Sequence, residues 1–340
     1  MEAVVPWPRL LALIEPHYPR VGPKGGRSPM PLETMLRVHV LQQWYALGDP
    51  MAEEMLYDSD AMRHFAGIEL GDDRIPDETT ILDLRHLPEK HQLTERLFAD
   101  VNRHLADQGI TLRSGTLVDA TIIDTPSSTK NEAKARDPEM SSTKKGNEWY
   151  FGMKAHVGVD AENGILHSLD TATARVHDSR VWDALLHGDE TSVWADKGYV
   201  SATREAAFSG PGKFRSVMRK APKGGALHPV DADINRIIGM IRARVEHPFR
   251  VLERQFGYPE TRYRDLAKNR AQLFTLFALG NLFLFRRRLL AEIGACHRTP
   301  IPAIRADRSD EIAGVTGQGA LARPPRPRNR RSRSGSSDDP

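Results

Sequence analysis

The run Thr116-Leu-Val-Asp-Ala-Thr-Ile-Ile-Asp124 constrains this chain more than any other stretch. It is rich in β-branched residues, is bounded by Gly115 and Pro126, and reads as a strand. Strands disfavour aspartate, yet Asp119 falls in the middle of this one. A carboxylate there is odd as a packing residue and points to function. Asp124 competes with it, but the two differ by five positions, and an odd offset along a strand turns them to opposite faces.

What precedes the strand has a helical texture. Leu32, Met35, Leu36, Val38, Val40 and Leu41 keep close to helical period, Pro50 is placed to start a second helix, and Asp77-Glu-Thr-Thr80 resembles a helix start. The glycine-rich loop Gly22-Pro-Lys-Gly-Gly-Arg27 suits DNA phosphates and a plain mobile loop equally. After the strand, the Lys-rich stretch 130–147 is predicted to be an exposed loop. Two further strands follow over 149–160 and 165–173, joined by the turn Ala161-Glu-Asn-Gly164. His177-Asp-Ser179 predicts a helix start with Asp178 or Ser179 as cap, and Ser192-Val-Trp-Ala195 a short strand running into Asp196-Lys-Gly-Tyr199. From Asp233 to Phe256, Ile234, Ile237, Ile238, Ile241, Val245, Phe249, Leu252 and Phe256 repeat at three and four, the buried stripe of one helix. Pro248 is expected to kink it, because its ring crowds the Arg244 carbonyl. A last helix covers 266–290. The pattern predicts an α/β fold with an antiparallel start and an α/β continuation, preceded by an all-helical domain.

At 39% hydrophobic residues the 340-residue chain can build a core through about residue 295. Beyond about Thr299 it is rich in Pro, Gly, Ser and Arg, so 296–340 is expected to be a disordered basic tail. Cys296 stands alone, which excludes a disulfide or a cysteine zinc site within one chain and fits a reducing cytoplasm. The start lacks the features of a signal peptide, and the apolar run 273–285, broken by Gly280 and Asn281, is too short to span a bilayer. The expectation is a soluble cytoplasmic protein. The formal charge of +3 is unevenly spread: residues 49–83 carry a net −9 and residues 213–254 a net +6. The basic stretch suits a phosphate-bearing partner, although taken alone it reads first as a solvated surface.

Three acids carry candidate chemistry: Asp119 in the first strand, Asp196 at the end of a later one, and Glu246 on the long helix. Only folding can unite them. Mg²⁺ is a hard ion held by a few carboxylates with water and substrate phosphate, and two such ions can activate the attacking oxygen and stabilise the leaving one. Taken singly, Asp196 serves as well as a strand-end or cap residue, and Glu246 as an exposed charge pairing with Arg242 or Arg250.

Four blocks in order resemble the insertion-sequence-five type of DDE transposases, within the wider insertion-sequence-four and -five group. They are Leu117-Val-Asp-Ala-Thr121, Trp149-Tyr-Phe-Gly-Met-Lys-Ala-His156, Val193-Trp-Ala-Asp-Lys-Gly-Tyr199 and Arg244-Val-Glu-His-Pro-Phe-Arg-Val-Leu252, continued by Arg254-Gln-Phe-Gly-Tyr258 and Arg262-Tyr-Arg264. Leu41-Gln-Gln-Trp-Tyr45 and Pro76-Asp-Glu-Thr-Thr80 resemble that family's helical leader. The resemblance implies a helical DNA-end-binding domain over 1–110 and a ribonuclease-H-like catalytic domain over 111–295, a mixed sheet flanked by helices. It implies that Asp119, Asp196 and Glu246 hold Mg²⁺, with Mn²⁺ able to substitute, and that Arg242, Arg250 and Lys197 meet the DNA. The reaction implied is cleavage at the element's ends and transfer of the freed 3′-hydroxyl into target DNA, by a homodimer on double-stranded DNA. A Tyr, Arg, Glu, Lys signature is kept at Arg242 and Glu246 but falls on Gly239 and Glu253 at its ends. The alternative is a catalytically retired DNA-binding regulator derived from a transposase. A host nuclease of the same fold fits less well, since it needs no helical leader.

Overall fold

The computed structural model describes residues 1–21, 28–129, 134–201, 204, 206, 208 and 210–296. The basic loop at 22–27 and the tail at 297–340 lie outside the described residues. Six helices come first: α1 (Trp7–Ile14), α2 (Leu32–Tyr45), α3 (Asp49–Asp58), α4 (Asp60–Ala66), α5 (Glu78–Lys90) and α6 (Leu93–Asp107). Pro50 lies in the first turn of α3, and the Asp77 carboxylate accepts the Thr80 amide at 2.8 Å to cap α5. Met35, Val38, Ala52, Leu56, Ile81 and Leu84 from α2, α3 and α5 make a small core of their own.

The leader is not a separate body, however. Leu97, Phe98, Val101 and Leu105 of α6 and Trp7, Leu10 and Ile14 of α1 belong to the large core that also contains the sheet. Phe98 meets Phe274 edge-on at 5.6 Å, and Met1–His297 forms one compact unit. The expected boundary at 110 is thus a change of architecture within one core. A fragment covering residues 1–110 would leave the apolar face of α6 in water. It is expected to lack a cooperative urea transition, whereas the full chain shows one; a sharp transition in the fragment would contradict the shared core.

The sheet contains β1 (Gly115–Asp124), β2 (Ser141–Lys145), β3 (Glu148–Asp160), β4 (Leu166–Thr173), β5 (Ser192–Ala195) and β6 (Phe214–Val217). β3 is antiparallel to β1, while β5 and β6 continue the sheet parallel to β1. The other edge of β3 is shared by β2 and β4, both antiparallel to it. This antiparallel triplet continued by parallel strands, with helices against it, is a ribonuclease-H-like core. β2 falls in the stretch expected to be a loop. Ser-Ser-Thr-Lys-Lys has no apolar face to announce a strand; it forms one because Gly146, at φ 64°, turns the chain back onto β3.

The last helix, α9 (Leu266–Cys296), buries Leu273, Leu276, Phe277 and Leu282 against the sheet and α6. Asn281, a polar interruption in its apolar run, has a clear task. Its amide donates to the Leu166 carbonyl at 2.7 Å and its oxygen accepts the Leu166 amide at 3.1 Å, so it satisfies the edge of β4 as a neighbouring strand would. On the opposite face the predicted helix after His177 is only two 3₁₀ turns, Asp178–Arg180 and Trp182–Leu185, and the cap is the His177 ring. Gly158 lets them approach: a Cβ there would lie 2.2 Å from the Leu185 carbonyl oxygen.

The long helix breaks as Pro248 requires. α7 (Pro229–Arg242) gives way to a 3₁₀ turn at Ala243–Val245, and α8 (Glu246–Arg254) follows. The tightened turn includes Arg244, whose carbonyl a proline four residues on cannot pair with. The break also narrows the predicted stripe. Val245, Phe249, Leu252 and Phe256 are buried, but Ile238 is the one buried residue of α7, and Ile237 is 50% exposed. Among the described residues no helix is long and apolar enough to cross a membrane.

Candidate active site

Register brings the first two acids together. On the adjacent parallel strands β1 and β5, Val118 faces Ala195, so the next residues, Asp119 and Asp196, stand side by side where β5 ends. Val245 anchors the 3₁₀ turn in the main core and delivers Glu246, exposed, at the head of α8. Asp119 lies deepest. Burial raises its carboxyl above the ordinary range, Arg242 opposes that rise, and the charges of Glu246 and Asp196 add to it. Three sequence-distant acids therefore act on one another here. Asp124 is exposed on the other face of β1.

Arg242 defines the present state of the cluster. Its guanidinium meets the Asp119 carboxylate at 3.0 Å, and both side chains are largely buried. The Ala120 amide donates to the same Asp119 oxygen at 2.9 Å. Arg242, expected on DNA, thus points inward as counter-ion to an acid. Lys197 and Arg250, expected in the same role, are exposed, as is Glu253. Positions 246, 250 and 253 share one face of α8, so Glu246 looks out between basic and acidic neighbours.

The donor chemistry fits a hard divalent ion: three carboxylates whose repulsion a cation would relieve. Among the described residues, no three His, Cys, Asp or Glu side chains lie close enough to hold a metal as they stand. An ion would have to take over the Asp119 carboxylate from the Arg242 guanidinium.

A supporting layer was not read from the sequence as a site. Lys154, on the face of β3 opposite Asp119, donates to Asp178 at 2.8 Å and to the Val176 carbonyl at 2.9 Å. The other Asp178 oxygen is 3.8 Å from where Gly198 would carry a Cβ, against the turn that presents Asp196. Beside it, His156 is fully buried with neither ring nitrogen partnered, and the Tyr199 hydroxyl is likewise buried without a partner. Burial holds His156 down at about 4, and pushes Tyr199 far up. Asp178 read as a helix cap; its lysine partner 24 residues earlier gave the only other signal, within the block ending in His156. Asp178→Ala would strand a mostly buried ammonium at a cost of about 1–3 kcal/mol. It is expected to speed hydrogen exchange at the amides of 197–199. Unchanged exchange there, at whatever stability, would mean the pair does not brace this turn.

A solved piggyBac transposase synaptic complex with hairpin DNA is similar at 10% identity and a TM-score of 0.43, covering 86% of this chain and 73% of that one. Residues 1–87 match the family model of a transposase domain. Residues 110–282, just over half of the chain and the span holding all three acids, match the transposase DDE domain. The chain belongs to the DDE transposase family.

Proposed function

We propose that this protein cuts double-stranded DNA at the ends of an insertion element and joins the freed 3′-hydroxyl to target DNA. The observation that carries the reading is the register of β1 and β5, which sets Asp119 beside Asp196 with Glu246 close enough to raise the Asp119 carboxyl. Asp119, Asp196 and Glu246 would hold divalent metal, Mg²⁺ or Mn²⁺ in its place. When bound, the metal supplies activation of the attacking oxygen and stabilisation of the leaving one.

The chain's own residues account for the rest. The half-buried floor around Asp119 lowers the local dielectric and strengthens every charge interaction made there. Arg242 holds the Asp119 carboxylate while no cation competes, and its freed guanidinium would then meet the phosphate that enters. Lys197 and Arg250, exposed on either side, approach the flanking backbone, and Lys154 with Asp178 keeps the Asp196 turn in register. In cleavage the oxygen of water bonds to phosphorus as the bond to the 3′-oxygen breaks; in joining, that 3′-oxygen attacks and a target 3′-oxygen leaves. Two ends must be processed together, so the working form is a homodimer.

The test is incubation of the full chain with duplex carrying the terminal inverted repeats that flank its gene, with and without Mg²⁺ or Mn²⁺. Metal-dependent nicks at the repeat boundary are expected. Tight binding without cutting under all metals would replace this reading by that of a retired regulator.

A further inference from the structure

The face of the sheet that carries Asp119 does not end at the acids. On antiparallel strands directly opposed residues share a face. Asp119 opposes Val157 on β3, so the odd positions of β3 share its face: Val157, Ala155 and Met153 are buried in the core, Phe151 and Trp149 emerge from it at the hairpin, and Lys144 of β2 opposes Trp149. Trp149 is 71% exposed, beyond any other large apolar side chain among the described residues. The Arg136 guanidinium lies 5.3 Å over the Phe151 ring beside it. At the end of β1, level with Phe151, an open cleft is lined by Thr125, Ser128, Asp137, Thr261, Arg262 and Arg264. Its acid is spent, because Asp137 accepts the amides of Glu139 and Asp265 at 3.0 and 2.8 Å.

Asp124 and Glu148 lie on the other face, where Glu148 opposes Lys145 and accepts the Tyr150 hydroxyl at 2.7 Å. At the hairpin tip cations stand on both faces: Lys144 beside the exposed indole on the Asp119 side, and Lys145 opposite Glu148 on the other. Trp149 is eight residues along β3 from Val157. At ~3.3 Å per residue that is about 26 Å, or about eight base pairs of duplex.

Resting on the reading of DNA cleavage at Asp119, we propose that the β2–β3 hairpin is a DNA-holding arm. It meets double-stranded DNA about eight base pairs from the cut, with Lys144 on the phosphate backbone and Trp149 packed into the groove against sugars and base edges. The arrangement pairs a sequence-independent cation with a sequence-tolerant aromatic surface. Its partner is the duplex continuing from the bound end.

The full chain is bound to the inverted-repeat duplex in Ca²⁺, and affinity is measured across a salt series beside hydroxyl-radical footprints. Trp149→Ala is expected to weaken binding about tenfold with the salt slope unchanged, and Trp149→Phe to restore most of it. Lys144→Gln is expected to reduce the slope by about one. Both Trp149→Ala and Lys144→Gln should lose protection in one patch about eight base pairs from the cleavage position and nowhere else. These side chains are exposed at a hairpin tip, so the variants should fold, as circular dichroism would show. Wild-type affinity and protection in Trp149→Ala, in a chain that binds and cuts, would overturn the arm and leave the cleavage reading intact. Failure of the wild type to bind any duplex would overturn both.

Discussion

Asp119→Ala, Asp196→Ala and Glu246→Gln should each lower end cleavage by about 1,000-fold or more, beyond the 10–100-fold typical of losing an outer-shell partner. Each removes one of three carboxylates that would hold the metal, and so removes nucleophile activation and leaving-group stabilisation together. End binding should stay close to wild type, because the acids repel the DNA backbone rather than hold it. Stability separates the three in a way a merely structural role would not. Asp196 and Glu246 push the Asp119 carboxyl up, so removing either eases a like-charge strain, and urea midpoints should hold or rise. Asp119→Ala instead strands Arg242, and a loss of about 1–3 kcal/mol accompanies its inactivity. Cleavage, urea midpoint and binding measured on the same preparations decide this. A variant that keeps most of its cleavage would show that its acid is not a ligand. Cleavage lost only in Asp124→Ala would move the site to the other face of β1.

Much of this was legible because the informative features are local. β1 was readable from β-branched residues between Gly115 and Pro126, the break after α7 from Pro248, and the cap of α5 from Asp77. What stayed hidden depends on pairing between distant segments. β2 has no apolar face and exists through its partner, while the 3₁₀ turns after His177 look like a helix until Gly158 draws them onto the sheet. The same holds at the site. Asp119 stood out alone, since an acid in a buried strand breaks a local rule, whereas Asp196 and Glu246 drew their assignment from family resemblance. The inward turn of Arg242 and the pairing of Lys154 with Asp178 were not legible as contacts. Each joins segments whose approach is set by the sheet, Arg242 to Asp119 and Lys154 to Asp178.

Acidification should unfold the chain above the range in which its carboxylates titrate. Desolvation holds His39, His156 and His167 at about 4, against 6.5 for each once unfolded. Between those values the unfolded chain binds protons that the folded chain refuses, so stability is complete above pH 6.5 and falls as pH drops toward 4. Each histidine accounts for about 3 kcal/mol over the whole window, and three together rival the typical stability of a domain. Asp49 and Glu190, lowered by their partners, join only below the unfolded carboxylate range, and Asp119, raised by burial, acts weakly in the opposite sense. The urea midpoint is therefore expected to decline steadily from pH 6.5 to 5, where these histidines titrate and ordinary carboxylates do not. His156→Leu isolates one contribution. Its ring is fully buried with no hydrogen bond to lose, so the variant should resemble wild type at pH 7 and shed about a third of the slope below pH 6.5. A midpoint that stays level from pH 7 to 5 would mean these rings are not sealed from water. Because His156 pairs across β3 with Ala120, the neighbour of Asp119, protonating it opens the strand pair on which the acids depend. DNA cleavage should then fail with the fold.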